Sequence, residues 1–510
     1  MEVIEAEKRG TTLYVYENYL FRKSRSSMNG DKLYVTCVFN GCKATGQIKR
    51  DEFIPRKCHN HGPEELRIQK LRLRADLRKV AEKHRGPGMK RAYDEACERY
   101  QNAAEFVSYN AFKSTMYRTK QVQTPPNPQD LTDYANILSR EEGGHWAKTI
   151  EEQRRPFFHK LIENNKDDWK AVIFICPTLS SLMETTNTVL VDGRTTYEDI
   201  MLQLRAYQLF TVHVLHMGHF FPVMYALISR KTEACYRGVL GEVVINVCPG
   251  SRASVHTILS DYDSGMMKAA AFTWPHATVV GCFFHFVQAV YHKHISENMT
   301  ELTKHSVSAR TVLRMLMALV LLPAHLMGEG LDLVWQYTVL HELQSQFRPL
   351  FEYMRAFWLT AVGPDTCSVY NQLHRTTNAL EAFYFQLQRI ERRPSIWEFT
   401  GGLQMIQRDA AADVSRLNSG SAVKCTRKKR QALQDKQIRK AWAMLEGDRY
   451  SLMEVLTELA HAVMGLEERL RSESLSAVHG SPDTLPSSQQ ELPYTGTLLN
   501  TDSGHGGTDK

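Results

Sequence analysis

Two cysteines and two histidines near the N-terminus restrict how that part of the chain can fold. Cys37 and Cys42 are followed by His59 and His61, so four potential ligands lie within 25 residues. Zn²⁺ prefers four tetrahedral sulfur and nitrogen ligands, and a unit this small has too little apolar core to fold without a cross-link. We therefore predict one structural Zn²⁺ here. The alternative is four unrelated surface side chains, with Cys58 as a further cysteine beside them.

The segments around these four residues have the alternating pattern of short β-strands. His59 and His61 fit an extended segment, because alternate residues of a strand share a face; in the common ββα finger the two histidines lie on a helix instead. Residues 19–22, 33–37 and 59–61, together with Cys42, resemble a FLYWCH-type zinc finger. That resemblance implies that Cys37, Cys42, His59 and His61 bind one structural zinc and that the module contacts DNA.

Composition excludes several classes of protein. The chain has 510 residues, of which 43% are hydrophobic and 10% aromatic, so we expect several folded domains. Ten cysteines are too few for a disulfide scaffold. The longest apolar run, 315–327, is shorter than the roughly 20 residues that span a bilayer, and the acidic start of the chain does not resemble a secretory signal. We expect an intracellular protein with no membrane partner and no small-molecule substrate.

The middle of the chain has the pattern of a mixed α/β domain. From residue 188 onward, three predicted strands are followed by a helix, a strand, a helix and a strand. The strands are predicted at 188–191, 209–215, 220–228, 255–259 and 278–284, and the helices at 232–247 and 265–272.

Two of these predicted strands end in an aspartate. Asp192 follows the first strand and Asp261 follows the fourth. If the two strands are neighbours in one sheet, the carboxylates meet at one edge and repel each other, and a pair of Mg²⁺ ions relieves that repulsion. A third carboxylate normally completes such a site. The alternative is that Asp192 belongs to an Asp-Gly turn and Asp261 to a helix cap.

The order of motifs from Val189 to Lys293 resembles a Mutator-like element (MULE) transposase domain, a member of the RNase H-like group that uses three acidic residues. The matching segments are 190–193, 208–212, 221–227, 260–263 and 281–286. The resemblance implies that Asp192 and Asp261 are the first two catalytic acids and that they bind Mg²⁺ or Mn²⁺.

The third acid in this family follows a helical insertion, and residues 300–362 have the pattern of one. Beyond it, Thr377, Asn378 and Glu381 are similar to the family's Thr-Asn-x-x-Glu segment, which makes Glu381 the candidate. The same residues also have the pattern of a capping box that opens a helix, and the two interpretations are compatible. Competing acidic residues are Glu184, Glu198, Asp199 and Asp263.

Cys282 and His285 match the family's Cys-x-x-His signature. Two such ligands cannot complete a zinc site alone. They either pack the end of a strand as a buried cysteine and a core histidine, or bind a metal together with His292 or His294.

Positive charge is concentrated in two regions. Residues 1–120 hold 25 basic and 15 acidic residues, a net charge of +10, and residues 421–440 hold 8 basic and 1 acidic. The second region suits nuclear import or phosphate contact, or is a solvated helix face. In the first, a basic helical stretch supplies candidate DNA-binding residues: Arg67, Lys70, Arg72, Arg74, Arg78 and Lys79.

We therefore expect a multidomain α/β protein: an RNase H-like catalytic core with an α-helical insertion, preceded by a small β-rich zinc finger and a helical DNA-binding region. The expected domains are the finger (1–62), a basic helical region and linker (63–150), the first part of the core (151–299), the insertion (300–372), a helix completing the core (373–410), C-terminal helices with a basic cluster (411–470) and a disordered tail (471–510).

The resemblance implies a nuclear DNA transposase, or a domesticated derivative, that cuts and joins phosphodiesters at a two-metal site. Its partners would be double-stranded DNA and further copies of itself. The alternative is a catalytically inactive nuclear DNA-binding regulator derived from such an enzyme. Another RNase H-like nuclease fits the acids but does not explain the finger.

Overall fold

The structure is a computed structural model that describes residues 1–6, 11–27, 31–83, 89–122, 124–151, 153–195, 197–375, 378–388, 393–423, 429–447 and 449–479. Its residues form two compact units. The first contains Met1–Asn127, Ser139–Trp146 and Gln386–Ile406. The second contains Pro128–Leu138, Ala147–Phe385 and the described residues from Gln407 onward.

The first unit contains a six-stranded antiparallel sheet in which strands adjacent in sequence are also adjacent in space. Its strands are β1 (Glu2–Glu5), β2 (Thr12–Tyr16), β3 (Tyr19–Ser26), β4 (Lys32–Cys37), β5 (Thr45–Lys49) and β6 (Glu52–Lys57). The β-rich character predicted for this region is confirmed, although β1 lies before the predicted segments. The turn predicted at Asn29-Gly30 lies outside the described residues.

Four helices follow this sheet: α1 (Glu65–Lys83), α2 (Met89–Glu98), α3 (Gln101–Ala104) and α4 (Tyr109–Val122). Helix α1 buries Ile68 and Leu71 against Ile4 and Leu13 of the first two strands. Its opposite end buries Leu73 and other apolar side chains against α2, α3 and α4. Helix α1 therefore joins the small sheet to the helices that follow it.

The second unit is built around a seven-stranded mixed sheet with the strand order β13-β12-β9-β10-β11-β8-β7. Strands β9, β10, β11, β8 and β7 pair antiparallel, whereas β12 runs parallel to β9 and β13 parallel to β12. The strands are β7 (Phe158–Asn164), β8 (Trp169–Ile175), β9 (Thr188–Arg194), β10 (Gln208–His216), β11 (His219–Ile228), β12 (Thr257–Ser260) and β13 (Thr278–Gly281).

Five of these strands were predicted, whereas β7 and β8 were not. Strand β8 is a short apolar run buried along most of its length, and such a run cannot be assigned by alternation. The last predicted strand, 278–284, ends earlier because Cys282 is the N-cap of a helix that begins at Phe283.

Helices form most of the remaining chain. They are α5 (Leu131–Ser139), α6 (Glu198–Leu204), α7 (Glu233–Glu242), α8 (Ser251–Ser254), α9 (Ser264–Thr273), α10 (Phe283–Ser296), α11 (Thr300–His305), α12 (Val307–Ala318), α13 (Met327–Leu340), α14 (Gln344–Tyr353), α15 (Pro364–Cys367), α16 (Asn378–Gln388), α17 (Ile396–Asn418), α18 (Lys429–Glu446) and α19 (Leu452–His479). Two of them continue as π-helices, over Val243–Val247 and Met354–Val362.

The helical character predicted for residues 300–362 is confirmed by α11 to α14. Helix α19 continues past the predicted boundary at residue 470, and residues 480–510 of the expected tail lie outside the described residues. In the part of the chain that the structure describes, no helix combines the length and apolar character needed to cross a membrane.

Candidate metal centres

The antiparallel sheet of the first unit brings the four N-terminal cysteine and histidine residues together. Cys37 is the last residue of β4, and Cys42 lies in the loop before β5. His59 and His61 follow β6 directly. Their ligand atoms all lie within 4.8 Å of one another, and no other such group of three or more is found among the described residues.

The distances between these atoms match the edges of a zinc tetrahedron. Zn–S and Zn–N bonds of about 2.3 and 2.0–2.1 Å require ligand atoms roughly 3.3–3.8 Å apart. The separations are 3.3 Å between Cys37 Sγ and His61 Nε2, 3.6 Å between Cys42 Sγ and His59 Nδ1, and 3.2 Å between the two histidine nitrogens. The cluster is therefore compatible with a structural zinc ion.

Backbone groups prepare these side chains for metal binding. The N–H groups of Phe39 and Ala44 donate to the sulfurs of Cys37 and Cys42, each at 3.4 Å. Burial raises the pKa of the Cys37 thiol to about 11, so its thiolate needs a cation beside it. His61 Nδ1 lies 2.8 Å from the carbonyl oxygen of Gly62. Because that oxygen only accepts, Nδ1 carries the proton and Nε2 is left with its lone pair.

Aromatic side chains hold both histidine rings in place. The Tyr19 ring stacks on His59 with a centroid separation of 3.7 Å, and Phe39 stacks on His61 at 4.0 Å. The ring of Phe21 meets His59 edge-on at 5.2 Å. Aromatic residues on both sides of the first cysteine in the sequence therefore form the walls of the cluster.

The second candidate centre lies where β9 and β12 run side by side. Their parallel register pairs Leu259 with Leu190 and Ser260 with Val191. The next residues along the two strands are Asp261 and Asp192. The two strands are thus neighbours, as the metal-pair hypothesis requires, and the two carboxylates lie together at one position of the sheet.

The electrostatics of this acidic pair show two carboxyl groups whose burial outweighs the positive charge of His285 beside them. Burial, reinforced by the charge of Asp261, raises the pKa of Asp192 to about 7. Burial also raises the pKa of Asp261. Asp192 is buried, with 8% of its surface exposed, and Asp261 is partly exposed. Two close carboxylates in such a place favour protonation or a bound cation.

Backbone N–H groups orient the two carboxylates. The N–H of Gly193 donates to Asp192 Oδ1 at 2.9 Å, and the N–H of Asp263 donates to Asp261 Oδ1 at 3.1 Å. No second hydrogen bond to either carboxylate is found among the described residues. One oxygen of each acid is therefore held in place while Oδ2 is left for another ligand.

The structure also places three residues around the pair that sequence reasoning did not assign to the site. The pKa of His285 is raised to about 10 against the opposing effect of burial, first by Cys282 and then by the charges of Asp261 and Asp192. The pKa of Tyr384 is raised by burial and by the charge of Asp192. The Arg194 guanidinium lies over the Tyr384 ring, 5.2 Å from its centroid.

The Cys-x-x-His signature was the available sequence signal for His285, but it did not indicate which residues the His285 side chain would contact. Cys282 is buried at the start of α10, and His285 lies in the first turn of that helix. His294, one proposed co-ligand, is engaged by Thr303 Oγ1 at 2.9 Å. His285 lies near the acidic pair. No metal cluster containing Cys282 is found among the described residues.

Glu381 lies in the fourth position of α16, near its start, as predicted. Its side chain lies outside the described residues, as does Thr377 of the proposed capping box. Tyr384 is three residues further along the same helix, and the neighbouring Phe383 ring lies 5.1 Å from that of His213 on β10. Helix α16 therefore packs on the sheet beside the acidic pair.

The acidic residues that competed with Glu381 as the third acid lie in different environments. Asp263 caps α9 by accepting the N–H of Met266 at 2.9 Å and pairs with Lys231 at 3.1 Å. Glu198 and Asp199 are exposed in the first turn of α6, and Glu184 is exposed before the opposite end of β9. Asp263 is thus the one competitor that lies next to the pair.

Most of the predicted DNA-binding residues lie on α1 and have intramolecular partners. Arg67 pairs with Glu64 at 2.7 Å, Arg78 with Glu5 at 3.2 Å, and Arg72 with Glu2. The Lys70 ammonium lies over the Phe106 ring. Of the remaining two residues, Arg74 is partly buried and Lys79 is exposed.

The second basic region begins outside the described residues, which exclude Arg427 and Lys428. Lys429 and Arg430 open α18, and their side chains are likewise not described. Further along this helix, Arg439 Nε donates to the carbonyl oxygen of Asp435 at 3.2 Å. Helix α18 therefore carries the C-terminal part of this region.

The comparison with known families agrees with the location of the acidic pair. No curated protein matches the chain. The family model described as the MULE transposase domain matches residues 189–289, which run from β9 into α10 and include Asp192, Asp261 and His285. This match supports a transposase-derived protein whose seven-stranded sheet contains a region similar to the MULE transposase domain.

Proposed function

We propose that the protein derives from a Mutator-like DNA transposase and cuts and joins DNA phosphodiesters at a two-metal site formed by Asp192, Asp261 and Glu381. One observation carries this proposal: the parallel register that sets Asp261 beside Asp192 within the region that matches the MULE transposase domain. On this proposal the sheet is an RNase H-like core, and α11 to α14 belong to its helical insertion.

The donor set of the acidic pair suits hard divalent cations. Carboxylate oxygens are the ligands that Mg²⁺ and Mn²⁺ prefer, and the raised pKa of Asp192 indicates that positive charge is needed there. Bound Mg²⁺ or Mn²⁺ would supply activation of the attacking hydroxyl group and stabilisation of the leaving oxygen. The N–H groups of Gly193 and Asp263 hold one oxygen of each acid, so that the two Oδ2 atoms are preorganised as ligands.

The assignment of Glu381 rests on its place in α16. Residues three positions apart lie on the same side of a helix, and Tyr384, three residues after Glu381, interacts with Asp192. The backbone of Glu381 is therefore one turn away from a residue of the site. This placement supports Glu381 as the third acid more strongly than it supports Glu198 or Glu184.

The N-terminal cluster is proposed to be a FLYWCH-type finger with one structural zinc that contributes to DNA binding. The stacked rings of Tyr19 and Phe39 and the tetrahedral ligand spacing support this assignment. A protein with these two modules would work in the nucleus on double-stranded DNA, and as a homo-oligomer if it transposes DNA.

The test is a strand-cleavage assay on supercoiled plasmid and end-labelled duplex DNA with Mg²⁺ or Mn²⁺. The variants are Asp261→Asn, Glu381→Gln and the control Glu198→Gln, which removes an exposed carboxylate. We expect metal-dependent nicking by the wild type and the control, and a loss of at least about 100-fold in the other two.

A wild type without cleavage on any DNA tested, but with duplex binding, would favour the inactive DNA-binding regulator. Cleavage that survives Asp261→Asn would show that the acidic pair is not the catalytic site. Loss of activity in Asp261→Asn but not in Glu381→Gln would retain the pair and assign the third acid elsewhere.

A further inference from the structure

One face of the N-terminal sheet carries an uncovered group of basic side chains. The opposite face is closed by a core containing Phe21, Val35 and Ile48. Helix α1 covers the first face only where Leu13 and Leu20 pack against it. Arg22 pairs with Thr36 on β4, and Thr36 pairs with Thr45 on β5, so these three residues lie on the same face of the sheet. We call its bare part the basic sheet face: Arg22, Arg25, Lys32, Tyr34, Lys49, Arg56 and Lys57.

Tyr34 is the centre of this face. Arg25 lies opposite it on β3, with its guanidinium 4.8 Å from the ring centroid. The Arg56 guanidinium lies 5.5 Å from the same centroid and donates to Gln47 Oε1 at 2.8 Å. Gln47 is buried and opposite Tyr34 on β5. A buried amide and an aromatic ring therefore hold two exposed guanidinium groups near the same tyrosine.

Like charges held together cost free energy unless an anion binds them. No ion pair to a carboxylate is found for Arg25 or Arg56 within the described residues. The acidic neighbours of the face are Glu52, opposite Lys49, and Asp31, whose charge interacts with Lys32 and Lys49. The basic residues of α1 differ in this respect, because Arg67, Arg72 and Arg78 each pair with a glutamate. Among the described residues, Arg25 and Arg56 of the sheet thus lack the glutamate partners that three arginines of the helix have.

We propose that the basic sheet face is the surface through which this protein holds double-stranded DNA, with Arg25 and Arg56 as its central phosphate contacts. The proposal rests on the proposed function for the nature of the polyanion. Duplex DNA carries one negative charge per about 1.7 Å of its axis, so a face with six basic side chains neutralises several phosphates at once. Tyr34 and Gln47 act as positioning residues that keep the two guanidinium planes in place.

The experiment measures binding of the full-length protein to a labelled duplex by fluorescence anisotropy from about 50 to 200 mM salt. Arg25→Ala/Arg56→Ala is compared with Arg67→Ala/Lys79→Ala, which removes the same charge from α1. We expect the sheet variant to bind about 10-fold or more weakly and the slope of log K against log salt to fall by about 1.8. The helix variant should change both quantities much less. Zinc content measured on each variant reports whether the module is still folded.

Two further variants separate charge from position. Tyr34→Ala keeps every charge but frees both guanidinium groups, so affinity should fall while the salt slope stays near the wild-type value. Arg25→Lys/Arg56→Lys should restore the slope.

Equal losses in the sheet and helix variants, or a larger loss in the helix variant, would overturn the proposal. A wild type that binds no duplex would overturn both this proposal and the proposed function. Binding through the sheet face without cleavage would support the proposed binding surface and contradict only the proposed catalytic activity.

Discussion

Asp192 and Asp261 lie side by side on adjacent parallel strands, although they are 69 positions apart in the sequence. Each carboxylate has one oxygen bound by a backbone N–H group. Burial and mutual repulsion raise the pKa of Asp192 to about 7. Such a pair lowers the stability of the metal-free protein. The free energy of unfolding should therefore depend on pH and on divalent cations.

The first prediction concerns pH. The pKa of Asp192 is raised on folding, so the folded protein accommodates this carboxyl group better when it is protonated. The free energy of unfolding therefore falls as pH rises from about 4 to above 7. Asp192→Asn removes this charge. In buffer without Mg²⁺ or Mn²⁺ it should stabilise the protein by on the order of 2–4 kcal/mol at pH 8 and by little at pH 4.

Urea denaturation across this pH range measures the effect, with Glu198→Gln as an exposed control that should be neutral throughout. An Asp192→Asn variant that is destabilised equally at both pH values would contradict the electrostatic account.

The second prediction concerns divalent cations. Binding to the folded state alone stabilises a protein by mass action, so millimolar Mn²⁺ or Mg²⁺ should raise the melting temperature of the wild type. Asp192→Asn and Asp261→Asn should show little or no shift, because each lacks half of the pair. A thermal-shift titration measures this, and equal shifts in all three proteins would place the bound cation elsewhere.

The third prediction concerns the zinc ligands. The wild type should contain about one zinc per chain, and Cys42→Ser should lose it, because three ligands no longer complete the tetrahedron. Cys58→Ser is the matched control: Cys58 is an exposed neighbour of His59 that lies outside the cluster. Metal analysis after dialysis compares the zinc content of the two variants. Zinc retained in Cys42→Ser, or lost in Cys58→Ser, would redefine the ligand set.

The fourth prediction concerns the packing behind Asp261. A Cβ atom on Gly281 would lie 2.2 Å from the Tyr262 ring, which packs edge-on against Trp358. Gly281→Ala should therefore cost about 1–3 kcal/mol and shift the residue after Asp261. Gly241→Ala, on α7 with open space around it, should be neutral or stabilising by up to about 1 kcal/mol. Urea denaturation midpoints compare the two variants. Equal midpoints would show that the Tyr262 ring moves aside at no cost in stability.

The local parts of the fold could be predicted from local signals. Cys37, Cys42, His59 and His61 are close in sequence, and hairpin pairing brings them together. The five predicted strands of the second sheet follow apolar runs that end in turn residues. Strands β7 and β8, which pair at one end of the sheet, were not predicted, although β8, like β10 and β11, is buried along most of its length.

The candidate site could be predicted only in part. Asp192 and Asp261 were recognised because each follows an apolar strand, but their contact depended on a pairing that no local pattern specifies. His285 and Tyr384 were not assigned to the site because their interaction with the acids depends on α10 and α16 packing beside the sheet. The side chain of Glu381 lies outside the described residues, so its role stays a prediction.

The sequence by itself determined the types of ligand, their spacing, and the strands that carry the two acids, because these depend on residue chemistry and local periodicity. Only the tertiary structure decided that β9 and β12 are neighbours in register. It also decided that Arg67, Arg72 and Arg78 of α1 pair with glutamates, whereas no ion pair is found for Arg25 or Arg56 among the described residues. The physical reason is that strand pairing, desolvation and charge–charge interaction act through space, between residues whose separation along the chain carries no information about their distance.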